Sequence, residues 1–287
     1  MKTIAILGAG AMGSRMAERL LKAGHPVVVY NRSADRVNSL VAQGATYAPT
    51  PKAAAERANV VISMVTDDEA SRAVWLTPET GAAAGLASGA IAIESSTLTV
   101  GWTQELAAQM AQRNVAFLDA PVVGSRPQAE AGKLIYLVGG DAATLDAVRD
   151  ILMAIGGALH HVGPSGQGMA MKLAVNALFG IQVAALAEAI GALTRQGLGR
   201  EQAIACLRAL PIMSPAASGA GQLMMAGSHA PLFPIELVEK DFRYALEAGA
   251  VQPLAAAARD IYQRAIAEGY GGDNITGVLQ VFEDGRT

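Results

Sequence analysis

Along the first half of the chain, hydrophobic residues gather in short, continuous runs rich in β-branched side chains. These runs are Thr3–Leu7, Pro26–Tyr30, Val60–Val65, Ala90–Glu94, Val115–Asp119, Leu134–Val138 and a weaker one at Ala158–Val162. Most are separated by alanine-rich stretches with helical spacing, such as Ala11–Ala23, Val100–Arg113 and Ala142–Ile155. A strand that is apolar at successive positions is buried on both faces, and helices between such strands supply parallel crossovers. The pattern predicts a mainly parallel sheet in an α/β domain.

The pattern changes after Gly163-Pro164-Ser165-Gly166. No convincing alternation follows. Residues 168–195 contain no proline and are rich in Ala, Leu and Met, which predicts one helix of roughly seven or eight turns. Further helical patterns occupy Arg200–Ala209, Ile235–Ala250, Leu254–Glu268 and Ile275–Phe282, punctuated by Pro211, Pro215, Pro231, Pro234 and Pro253. Two domains are expected: an α/β domain over 1–163 and an all-helical domain over 164–287.

Composition narrows the function classes. The 287 residues carry 22 Lys plus Arg against 25 Asp plus Glu, a net charge of -3. Such balance argues against a nucleic-acid partner, which needs a concentrated basic face. Hydrophobic residues make up 52% of the chain, ample for a core and far from disorder. Alanine fills about a fifth of it, favouring tightly packed helices. One cysteine, Cys206, leaves no internal disulfide framework and no Cys-rich metal site. It lies in an apolar helical run and is expected to be a packed small hydrophobe. His160-His161 have no third ligand at useful spacing, so no metal is expected. The apolar start breaks at Gly8, Gly10 and Gly13, unlike a signal-peptide core. The helical run Leu173–Ala187 stops at Glu188, short of the roughly 20 apolar residues a bilayer demands. A cytoplasmic protein with no membrane partner is the expectation.

The chemistry begins at Gly8-Ala9-Gly10-Ala11-Met12-Gly13, a G-x-G-x-x-G sequence between the first strand and first helix. In a dinucleotide site the first glycine makes the turn, the second admits a pyrophosphate to the backbone, and the third lets helix pack on strand. The helix start then offers N–H groups and a positive dipole end to the phosphates. The competing reading is an ordinary tight strand–helix turn. The second strand ends in Tyr30-Asn31-Arg32-Ser33. An acid there would hold the ribose hydroxyls of NAD. Here a guanidinium can pair with a 2′-phosphate, flanked by amide and hydroxyl donors. The loop favours NADP over NAD, unless Arg32 is simply solvated.

Four segments in order make the chain resemble the β-hydroxyacid dehydrogenase family, which includes 3-hydroxyisobutyrate dehydrogenase and the glyoxylate/succinic semialdehyde reductases. Ile6 through Gly13, continuing through Leu20-Leu21-Lys22-Ala23-Gly24-His25 and Tyr30-Asn31-Arg32, looks like its cofactor-binding start. Asp119-Ala120-Pro121-Val122 with Gly124 and Ser125, through Leu134, is similar to its substrate-binding segment. Gly166 through Lys172, with Asn176, matches its catalytic helix, and Phe233-Pro234 followed by Lys240-Asp241 matches its cofactor-closing segment. Where the family usually places a serine before Gly124, this chain has Val123.

The resemblance implies a Rossmann-type domain followed by an all-α domain, and an NADP-dependent oxidoreductase acting between a small aldehyde or keto acid and its hydroxy acid. It implies cofactor contacts from Gly8, Gly10, Ala11, Met12, Gly13, Asn31, Arg32, Ser33, Met64, Val65, Thr97 and Lys240. Substrate contacts fall to Val123, Gly124, Ser125, Lys172 and Asn176. Hydride delivery to a carbonyl leaves an oxyanion that must be protonated or stabilised, and a lysine can do both. Lys172 is the sole Asp, Glu, Lys or Arg between Asp150 and Glu188, and Asn176 follows four residues later on the same helical face. A lysine snorkelling from an amphipathic helix and a buried capping amide are the bland alternatives. An imine reductase, a related architecture whose members typically lack this lysine, and a non-catalytic NADP-binding protein remain the rival functions. The long apolar helix must be covered on several sides, which implies a homodimer or homotetramer.

Overall fold

The computed structural model describes residues 1–249 and 251–283. These form two compact units, Met1–Lys172 and the remainder from Leu173.

The first unit holds a nine-stranded sheet built from β1 (Ile4–Leu7), β2 (Val27–Tyr30), β3 (Thr46–Tyr47), β4 (Val60–Ser63), β5 (Ile91–Glu94), β6 (Ala116–Asp119), β7 (Val122–Val123), β8 (Leu134–Gly140) and β9 (Gly156–Gly163). Their order is β3-β2-β1-β4-β5-β6-β8-β7, with β9 paired to β8. Strands β1 to β6 run parallel, while β8 lies antiparallel to both β6 and β7. The apolar runs alternate between two cores. Ile4, Ile6, Val27, Val29, Val60, Ile62 and Ile93 meet Met16 and Leu20 of helix Gly13–Lys22 and Val148 and Leu152 of helix Ala142–Ile155. Ala5, Leu7, Val28, Val61, Ala92 and Phe117 face Trp75, Trp102, Leu106 and Met110 on the other side. Burial on both faces is why these strands read as unbroken apolar runs. Side-chain caps fix the helix starts: Asp67 accepts from Ala70 N at 2.8 Å, and Thr99 Oγ1 accepts from Trp102 N at 3.1 Å.

The second unit continues the helix Gln167–Arg195 and adds helices Arg200–Ala209, Pro215–Met225, Ile235–Glu247 and Pro253–Ala267, with a 3₁₀ turn Ile275–Leu279 before Gln280–Glu283. Its core joins Val183, Ala187 and Ile190 to Ile235, Val238, Phe242, Tyr262 and Leu279.

The structure departs from the sequence reading at several places. The helix Pro215–Met225 was not expected, because Pro215 reads as a breaker. Its fixed φ instead suits the first helical turn, capped by Ser214 Oγ, which accepts from Ala217 N at 3.1 Å. The segment Ile275–Phe282 begins as 3₁₀ rather than α. The expected helix Ile235–Ala250 ends at Glu247, and Ala250 itself lies outside the described residues. Cys206 is exposed rather than packed, because helix Arg200–Ala209 turns Ala203 and Ile204 inward. The long helix runs unbroken over Gln167–Arg195, within one residue of the expected span. By length and composition alone it could cross a membrane, and half of its most apolar window is buried inside the protein.

Candidate active site

In-register pairing brings the strand ends of the first unit into one row. Leu7 pairs with Tyr30 and Ser63, Ser63 with Glu94, and Glu94 with Asp119. Backbone bonds stitch the residues just beyond: Gly8 N to Tyr30 O (2.9 Å), Met64 N to Leu7 O (2.9 Å), Ser95 N to Ser63 O (2.9 Å) and Ala120 N to Glu94 O (2.8 Å). The Gly8–Gly13 loop, Asn31–Ser33, Met64–Val65 and Thr97 therefore all leave the sheet along its carboxyl edge, where open α/β sheets bind ligands.

The glycine loop fits a dinucleotide phosphate. Gly8 has φ +99°, and a Cβ there would lie 2.4 Å from Met64 O. A Cβ on Gly13 would fall 2.0 Å from Gly8 O, so helix and turn touch backbone to backbone. A Cβ on Gly10 would meet nothing within 4 Å; the space beside it is open, as the approach of a pyrophosphate requires. Met12 at the N-cap supplies no side-chain cap to the helix start. Arg15, missed in the sequence, braces this loop: its Nη1 donates to Ala11 O at 2.7 Å and its Nε to Glu130 Oε1 at 2.6 Å. At the β2 exit, Asn31 Nδ2 donates to Ser33 O at 3.0 Å, while Arg32 and Ser33 are exposed.

On the far side of the row, Asp119 grips the start of the long helix. Its Oδ1 accepts from Gly166 N at 2.8 Å and its Oδ2 from Met169 N at 2.9 Å. Glycine at 168 makes room, since a Cβ there would lie 2.8 Å from Asp119 Oδ2. Burial raises the Asp119 carboxyl above its ordinary value, against the opposing pull of these N–H groups. Lys172 follows Met169 by about one turn and is only 7% exposed. In the substrate-like segment, Val123 pairs with Ile135, and Gly124 takes φ +124°. Ser125 is engaged locally, donating its N–H (2.9 Å) and its hydroxyl (3.0 Å) to Gln128 Oε1.

In the second unit Asn176, Lys240 and Asp241 come together. Asn176 Nδ2 donates to Asp241 Oδ2 at 2.6 Å, and Lys240 Nζ lies 3.3 Å from Asp241 Oδ1. All three are buried. From sequence Asp241 reads as the neighbour of Lys240 and a candidate ion-pair partner for it, and the two do pair; nothing in the spacing points to Asn176. Glu94 reads from sequence only as the end of a strand, because a strand-end carboxylate carries no pattern of its own; Ser96 reads only as the residue before Thr97 at a ligand-binding strand end.

Known proteins are similar to this chain along nearly its whole length. Residues 3–163 match the NAD-binding domain model of 6-phosphogluconate dehydrogenase. Residues 166–282 match the model described as the NAD-binding domain of NADP-dependent 3-hydroxyisobutyrate dehydrogenase. The chloroplastic glyoxylate/succinic semialdehyde reductase 2 of Arabidopsis thaliana is 31% identical over 289 residues, covering 99% of this chain and 80% of that protein. The NAD-dependent L-serine dehydrogenase of Pseudomonas aeruginosa is 31% identical over 294 residues, covering 99% and 98%. The solved structure of Mycobacterium tuberculosis 3-hydroxyisobutyrate dehydrogenase with L-serine has a TM-score of 0.89 at 29% identity, covering 98% of this chain and 99% of that one. The domains are those of nicotinamide-dinucleotide binders, and the chain belongs to the β-hydroxyacid dehydrogenase family.

Proposed function

We propose that this protein is an NADP-dependent oxidoreductase that interconverts a small aldehyde or keto acid and the corresponding hydroxy acid, with Lys172 as general acid and base. The observation that carries the reading is the buried Lys172, one turn beyond a helix start anchored by Asp119 to the same strand-end row that holds the glycine loop. When bound, the nicotinamide supplies or accepts the hydride. Gly8, Gly10, Ala11, Met12 and Gly13 hold the pyrophosphate through backbone N–H groups, and Asn31, Arg32 and Ser33 hold the 2′-phosphate. Met64, Val65, Thr97 and Lys240 contact the remainder of the cofactor. Lys172 donates a proton to the substrate oxygen during reduction and takes it back during oxidation. Asn176, Val123, Gly124 and Ser125 hold the substrate. The relatives' names, a glyoxylate/succinic semialdehyde reductase and an L-serine dehydrogenase, support a small acid substrate.

A panel of semialdehydes, glyoxylate, 3-hydroxy acids and cyclic imines, each assayed with NADPH or NADP⁺ through nicotinamide absorbance, tests the reading. Turnover confined to cyclic imines would favour the imine-reductase alternative, which Val123 in place of the family's usual serine keeps open and Lys172 argues against. Cofactor binding without any turnover would favour a non-catalytic role. The reading extends to assembly as a homodimer or homotetramer. Leu178 and Leu254 are 60% and 70% exposed and, with Ala174 and Ile181, line an apolar groove of about 350 Å³ in the helical unit. Light scattering at micromolar concentration checks this, and a monomer would contradict it.

A further inference from the structure

Glu94 is a carboxylate with 0% exposure at the carboxyl end of β5. Burying such a group is costly unless its oxygens are satisfied. Two donors come from one face of helix Asp68–Leu76: Ser71 Oγ at 2.7 Å and Trp75 Nε1 at 2.9 Å, both to Oε2. On the other side, Ser96 N donates to Oε1 at 3.0 Å.

Ser96, held by its N–H, then reaches the neighbouring strand exit: its hydroxyl oxygen accepts from Val65 N at 2.8 Å. Backbone pairing between the two strand exits reaches Ser95 N–Ser63 O; the Ser96–Val65 bond extends it into the turns. Those turns carry Met64, Val65 and Thr97, assigned above to the part of the cofactor beyond the pyrophosphate and 2′-phosphate, which is its nicotinamide half.

We propose that Glu94 is a positioning residue for nicotinamide binding: it holds Ser96 by its backbone N–H, and the Ser96 hydroxyl in turn holds the Val65 turn at a fixed spacing from the Thr97 turn. The proposal rests on the cofactor reading above. Glu94→Gln is the direct variant. Glutamine offers one acceptor oxygen, and its NH₂ must face either Trp75 Nε1–H or Ser96 N–H, neither of which can accept. Ser96→Ala is the second variant; it removes the bridge to Val65 without disturbing the buried charge's helix-side donors.

The experiment compares two ligands by calorimetry: NADPH, and 2′-phospho-ADP-ribose, which lacks the nicotinamide ring. Both variants weaken NADPH roughly three- to tenfold, the range for one buried hydrogen bond, while the ring-less fragment binds as it does to wild type. A merely structural role would move both ligands together or neither. If both variants keep the wild-type ratio of the two affinities, Glu94 is not a positioning residue. If wild type binds neither ligand, the cofactor reading itself fails and takes this proposal with it.

Discussion

Asn176 donates Nδ2 to Asp241 Oδ2 at 2.6 Å, and that contact settles which way the amide points: its carbonyl oxygen faces away from the carboxylate. The same carboxylate sits 3.3 Å from Lys240 Nζ. Asp241 therefore orders two side chains that the family resemblance assigns to substrate and cofactor. Asp241→Ala leaves the Asn176 N–H groups without this acceptor and destabilises the fold by about 1–3 kcal/mol. Asp241→Asn keeps an acceptor oxygen and is milder. Thermal melts of the two variants side by side check the order.

Replacing Lys172 probes the chemistry itself. Lys172→Ala folds and binds cofactor like wild type, but loses at least about 10²-fold in turnover, the low end for general acid–base catalysis. Steady-state kinetics on the substrate found in the panel, with cofactor titrations alongside, measure both halves. Near wild-type turnover would remove Lys172 from the mechanism.

The anchor beneath Lys172 makes a separate expectation. Asp119 satisfies two backbone N–H groups at the start of a 29-residue helix. Asp119→Ala leaves both without an acceptor and costs about 2 kcal/mol, the upper end for a lost helix cap. Denaturant unfolding reads it as a lower midpoint at unchanged slope.

The alternation of apolar strands and helices made the α/β unit readable, because burial on both faces writes itself as continuous Val, Ile and Ala runs. The glycine loop was readable for a similar reason: Gly8 and Gly13 sit where a Cβ would strike backbone oxygen. What stayed hidden was long-range. Thr46–Tyr47 and Val122–Val123 are two-residue strands, too short to carry a period, and exist only because a neighbouring strand pairs with them. The antiparallel placement of β8 follows from the tight return through β7, which no local pattern announces. Asp119 reads only as the opening of the substrate-like segment, with no sign that it would anchor a helix, and Glu94 as an ordinary strand end. Their roles come from partners 47 and 50 residues away in one case and 19 and 23 in the other.

Glu94 also gives the fold a pH signature. Burial raises its carboxyl above the ordinary 4.5, outweighing the hydrogen bonds from Ser71, Trp75 and Ser96 that favour the ionised form. A carboxyl that holds its proton more tightly in the native state stabilises the fold on acidification. Its contribution is therefore lost as pH climbs from 4.5 through the raised folded value, and is level above it. Relative to Glu94→Gln, wild type loses about 1.4 kcal/mol for each unit of that elevation. Urea unfolding of both proteins across a pH series checks it, and a difference that does not change with pH would contradict it.

Cofactor choice rests on the loop after β2. Asn31 is tied to Ser33 O, which leaves Arg32, exposed at the strand's carboxyl end, as the cation nearest in sequence to the expected ribose. Asn31-Arg32-Ser33 contains no acid to hold ribose hydroxyls or to repel a phosphate. A charged hydrogen bond contributes roughly 1.5–3 kcal/mol, or about 10- to 150-fold in affinity. NADPH is therefore expected to bind at least about tenfold more tightly than NADH. Arg32→Ala closes most of that gap by weakening NADPH alone, since NADH carries no phosphate for the guanidinium to meet. Asn31→Asp reverses the preference by adding a ribose acceptor and repelling the phosphate. The NAD-dependent L-serine dehydrogenase relative shows that this scaffold also serves the other cofactor, so the loop and not the fold must decide. Titrating both cofactors against wild type and the two variants measures it; equal wild-type affinities would mean that Arg32 is only a solvated surface charge.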